Sequence, residues 1–71
     1  MTKATITVTY GGVEVSHKDY DDIEYASFAL VFTAKAFQRR GFIARKWEGH
    51  RVVLQTRKGT QVKIELKEVT E

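Results

Sequence analysis

Seventy-one residues with no cysteine and no proline suit one small domain, 1–71, that folds without disulfides or thiolate metal sites. A chain this short buries only about 60% of its unfolded surface, yet an apolar share of 42%, regularly placed, excludes a disordered tail. The net charge of +3 conceals a split: residues 1–34 hold two Lys/Arg against five Asp/Glu, a net of −3, and residues 35–71 hold ten against four, a net of +6.

Met1-Thr2-Lys3 leads directly into Thr5-Ile6-Thr7-Val8-Thr9-Tyr10, not into an apolar signal core. That run alternates strictly, with Ile6, Val8 and Tyr10 on one side and three threonines on the other. It predicts a half-buried strand. Gly11-Gly12 supplies a two-residue hairpin turn, whose register pairs Tyr10 with Val13 and Val8 with Val15, and sets Thr9 against Glu14 and Thr7 against Ser16.

A helix follows. Asp21-Asp22-Ile23-Glu24 reads as a capping box with Asp21 as N-cap, after an Asp19–Tyr20 loop. Arg39 and Arg40 close the last turn and Gly41 takes the left-handed cap position. Acid at the start and base at the end both favour the helix dipole, which accounts for part of the charge split without any ligand. Ile23, Ala26, Leu30, Ala34 and Phe37 form the stripe that meets a sheet. The longest apolar-looking run, Tyr25 to Ala34, contains Ser27 and Thr33 and is about half a membrane span.

Three strands complete the chain, at about 42–47, 50–56 and 60–67. Glu48-Gly49 reads as the first tight turn, which would set Lys46 against Arg51 and Trp47 against His50. For the second hairpin, a three-residue loop, Arg57-Lys58-Gly59, pairs Leu54 with Val62 and Val52 with Ile64 and puts Gly59 at the left-handed position. The expected fold class is α+β: ββαβββ, one helix packed on a twisted antiparallel sheet. Strand order does not follow from these patterns.

Two surfaces are candidates for function. Tyr25, Phe28 and Phe32, with Ala29 and Ala36, form a second apolar patch on the helix, roughly opposite the first. Cover by a broad core or by the 19–20 loop is the plainer expectation. Left exposed, the rings would mark a protein interface, of which a homodimer through helix faces is the simplest version. The other candidate is the basic segment Arg39, Arg40, Arg45, Lys46, Trp47, His50, Arg51, Arg57 and Lys58. It is suited to phosphates or to an acidic protein surface. Glu65, cross-strand from Arg51, would offset part of that charge. Trp47 would stack on a base, hold a guanidinium, or close the end of the core.

Catalytic constellations are thin. No nucleophile has a base and an orienting carboxylate that the sequence places beside it, the glycines form no phosphate cradle, and His17-Lys18-Asp19 with Asp21-Asp22 matches no metal-ligand spacing. The element order is not that of a double-stranded-RNA-binding domain, and no strand carries the aromatics of an RNA-recognition motif. The expectation is therefore a soluble, cytoplasmic, non-enzymatic binding protein without cofactor, metal or membrane partner. Its first-choice partner is nucleic acid, bound mostly through phosphates and steeply salt-dependent. The alternative is a protein-binding regulator, a small inhibitor or adaptor of the kind phage and accessory genomes encode, anchored by Tyr25, Phe28 and Phe32 and steered to an acidic partner by the basic patch.

Overall fold

The computed structural model describes residues 2–69. Met1, Thr70 and Glu71, which enter the single-domain reading and the charge count, lie outside the described residues. The elements run β1 (Lys3–Tyr10), β2 (Val13–Tyr20), α1 (Ile23–Arg39), β3 (Ile43–Glu48), β4 (Arg51–Gln55) and β5 (Gln61–Val69). All five strands form one antiparallel sheet in the order β2-β1-β5-β4-β3, the α+β architecture that the patterns predict.

The helix lies over the middle of this sheet. Ala26, Leu30 and Ala34 are buried against Ala4, Ile6 and Val8 of β1, Val62, Ile64 and Leu66 of β5, and Val52 and Leu54 of β4, with Ile23 and Phe37 half-buried beside them. Small residues at 26 and 34 let the helix approach closely, and Leu30 fills the space between them. The second hairpin keeps the expected register, with Leu54 opposite Val62 and Val52 opposite Ile64. Its loop closes between Thr56 and Thr60, where the Thr56 N–H donates to the Thr60 carbonyl at 2.9 Å and the Thr60 N–H donates to the Thr56 hydroxyl at 3.1 Å.

Four local expectations are corrected. Asp22, not Asp21, caps the helix: its Oδ1 accepts from the Glu24 backbone N–H at 3.0 Å. Glu24 then sits one position too early to close a capping box. Asp19 and Tyr20 are the last residues of β2, not a loop, and the Thr5 hydroxyl donates to Asp19 Oδ1 across the strands at 2.8 Å. In the first hairpin Val8 pairs with Ser16 and Thr7 with His17, because the register slips between Val8 and Thr9 and Val15 becomes the extra residue of a bulge. Among the described residues no element covers Val13 and Val15 of β2, so burial does not enforce the register that would bring Val15 inward.

The β3–β4 hairpin turns at Gly49-His50, one residue later than expected. Gly49, with φ of +53°, occupies the first turn position, where a two-residue hairpin of the II′ kind calls for glycine. Glu48 therefore faces Arg51, Trp47 faces Val52 and Lys46 faces Val53, so the Lys46–Arg51 and Trp47–His50 pairs do not form. A bulge at Arg45 restores Ala44 to Leu54 and keeps both apolar partners on the core side.

The helix ends as expected. Arg40 is the C-cap and Gly41, at φ of +96°, takes the left-handed position. The Phe42 N–H reaches the Phe37 carbonyl at 3.2 Å and the Gly41 N–H reaches Gln38 at 3.1 Å. This is a Schellman motif, and its apolar contact is the Phe37–Phe42 ring pair at 5.3 Å.

Candidate interaction surfaces

The sheet order decides which apolar residues stay in water. With β2 at one edge and the helix over β1, β5 and β4, the flank of α1 on the β2 side has no layer above it among the described residues. Tyr25, Phe28 and Phe32 are 66%, 68% and 73% exposed, so neither a broad core nor residues 19–20 cover them. Tyr20 meets the patch only at its margin, where its ring lies 5.8 Å from that of Tyr25 and takes the Lys18 ammonium at 5.5 Å. Between this flank and β2 runs a groove of about 260 Å³ lined by Lys18, Tyr20, Tyr25, Phe28, Ala29, Phe32 and Thr33. Separate shallow hollows adjoin it, one along Thr33, Phe37 and Arg40 and one along Val15 and Ser16 on the β2 side.

Exposure of β2 itself was the feature hardest to read from the pattern. Val13 and Val15 are 64% and 60% exposed, although the hairpin alternation assigns both to the core. The signal lay further along, in Ser16-His17-Lys18-Asp19. A run that polar fits an edge strand without a covering layer.

The basic segment is not one surface. Gln55 pairs with both Ile43 and Gln61, and the Gly11 N–H donates to the Gln61 carbonyl. Tyr10 also touches Phe42 just beyond the helix, with ring centroids 6.2 Å apart. The C-terminus of α1, the Arg57-Lys58 loop and the first hairpin turn therefore share one end of the molecule. Arg39, Arg40, Arg57 and Lys58 gather there. Arg45 lies on the β3 edge at its bulge. Lys46, Trp47, His50 and Arg51 belong to the far end of the β3–β4 hairpin.

Carboxylates separate these groups further. Lys46 lies 3.6 Å from Glu48, while Arg51 and Lys63 lie 3.8 and 3.0 Å from Glu65. Arg39, Arg40, Arg45, Arg57 and Lys58 have no ion pair among the described residues. The hydrogen bond from Lys63, helped by the positive charges of Lys63, Arg51 and Lys67, holds the Glu65 carboxyl below its usual 4.5 against partial desolvation. Trp47 is 42% exposed and faces the core side opposite Val52, away from the arginines at the helix end.

The opposite end of the helix carries the acids. The Ile23 N–H donates to the Thr2 carbonyl at 2.9 Å and Ala4 pairs with Tyr20. Asp19, Asp21, Asp22 and Glu24 therefore cluster where β1 begins and β2 ends. One flank of α1 thus presents acid, then three rings, then base along its length. No helix among the described residues is long and apolar enough to cross a membrane, and no group of three His, Cys, Asp or Glu is placed to hold a metal ion. Comparison with protein-family models, curated proteins and solved structures finds no match to this chain.

Proposed function

We propose that the protein is a small non-enzymatic binding module whose working surface is the aromatic flank of α1, used to dock protein. The observation that carries this reading is the exposure of Tyr25, Phe28 and Phe32 along one line of the helix. Contiguous exposed aromatic surface of this kind is rare on a monomer and usual at an interface. The groove beside it supplies depth, which a flat patch would lack. An apolar cavity of about 150 Å³ accepts a benzene ring, so the groove along Tyr20 and Thr33 has room for an aromatic anchor from a partner.

A photo-crosslinking phenylalanine analogue placed at Phe28, in cells making the protein, tests the reading. Adducts should form there and not with the same analogue at Thr9 on the opposite sheet face. Equal labelling at both positions would refute it.

A second reading, contact with nucleic acid, is favoured by one observation: Arg39, Arg40, Arg57 and Lys58 share an end and have no carboxylate partner among the described residues. This site is smaller than the whole basic segment and has no stacking tryptophan in it, so phosphate neutralisation would dominate. Anisotropy titrations of labelled duplex and single-stranded oligonucleotides should then show affinity falling steeply with salt, with a slope set by about four phosphate contacts. Absence of binding at low salt removes this reading.

A further inference from the structure

We infer that the occupant of the aromatic flank is a second copy of this chain, packed antiparallel across a two-fold axis near the middle of α1. The inference rests on the reading of that flank as a protein-docking surface and names its partner. What selects a second copy is the order of charges along the helix. Asp21 and Asp22 stand at one end of the aromatic line, Arg39 and Arg40 at the other, and the rings lie between.

A surface of this kind is self-complementary in one orientation only. Turned end for end on itself, it sets the acids of each copy against the bases of the other. Packed parallel, it sets acid on acid and base on base. The register that places Tyr25 opposite Ala36 also places Asp21 opposite Arg40 and Asp22 opposite Arg39, because the members of each pair are equidistant from the helix centre. Antiparallel helix dipoles favour the same arrangement, and an isologous contact needs no second surface.

The contact is modest in size. Covering the three rings from their present exposure removes roughly 300–500 Å² per copy, against about 800 Å² per partner in a standard interface. The groove walls and helix ends supply the remainder. A dimer dissociating at about 1–100 μM is the expected strength. Added salt should weaken it, since the charges at the helix ends are exposed.

Sedimentation equilibrium across that range, with oriented crosslinking, tests the inference. The chain has no cysteine, so Tyr25→Cys and Ala36→Cys variants each carry a single thiol. When the two are mixed, a short bis-maleimide linker should join 25 to 36. Neither variant should link to itself, because the two-fold separates like positions by about 16 Å along the helix. Phe28→Ser with Phe32→Ser should abolish the dimer, and Arg39→Glu with Arg40→Glu should weaken it at least tenfold.

A wild-type chain that stays monomeric at about 1 mM overturns the self-pairing, whatever a different partner does at the same rings. A dimer that survives Phe28→Ser with Phe32→Ser and gives no 25–36 link overturns both the pairing and the assignment of the helix flank as the docking surface.

Discussion

A ring that stays in water contributes little to folding, and a buried branched chain contributes a great deal. Phe28→Ser and Phe32→Ser should each change the stability of the monomer by less than about 0.5 kcal/mol in chemical denaturation at low protein concentration. Leu54→Ala, at a position with no exposure, should cost about 2–5 kcal/mol. A chain of this size has only about 4–11 kcal/mol in total, so that one change can leave it largely unfolded. Glu65 sets an acid limit. Its folded-state pKa lies below 4.5 because Lys63 donates to the carboxylate and Arg51 and Lys67 lie nearby. The stabilisation is therefore complete above that value and is lost as pH falls through the lower, folded-state pKa. Glu65→Gln should reduce stability at neutral pH and flatten the loss on acidification, as followed by circular dichroism.

At the level of elements, the ends of α1 are the places where a single residue decides most. Asp22→Ala should cost about 0.5–2 kcal/mol through the lost cap, while Asp21→Ala in the monomer should cost much less. The two acids are adjacent and chemically alike, and only the entry angle of the chain from β2 chooses between them. That angle depends on β2 continuing through Tyr20, which local patterning does not reveal. The Gly41 cap, by contrast, was legible because a helix ending in arginines and then glycine has few other ways to stop. The Arg57-Lys58-Gly59 loop was legible for a related reason: of two candidate registers, only one put apolar residues opposite each other. Neither edge hairpin offered that test. At β1–β2 no layer rewards either register with burial, and at β3–β4 both Glu48-Gly49 and Gly49-His50 place a glycine in the turn. The bulge at Arg45 then absorbs the difference.

For the molecule as a whole, the strand order was the missing piece, and both candidate surfaces depend on it. Placing β2 at an edge strips cover from Tyr25, Phe28 and Phe32. Placing β4 and β3 beyond β5 carries Trp47 and Arg51 away from Arg39 and Arg57, so a basic stretch that is continuous along the chain is divided in space. The paired cations Lys46, Arg51 and Lys63 should tolerate reversal of charge without altering polyanion binding, whereas reversal at Arg57 and Lys58 should abolish whatever binding exists. Filter-binding titrations of these variants would compare the two sets directly. If the two proposed surfaces coexist, Arg39 and Arg40 belong to both, and oligonucleotide should compete with self-association.

The position of β5 has a further consequence. It is made after the other four strands of this sheet, yet it lies in the centre, between β1 and β4. Until residues 61–69 emerge, the chain consists of two hairpins and a helix with no shared sheet, and isolated hairpins are marginal in water. Folding on the ribosome is thus deferred until residues 61–69 have emerged, with the aromatic helix and two open hairpin edges exposed for the few seconds that synthesis at about 5–20 residues per second takes. A nascent chain arrested after Thr60 should be protease-sensitive throughout, and the same chain extended to Val69 and clear of the exit tunnel should become resistant in one step.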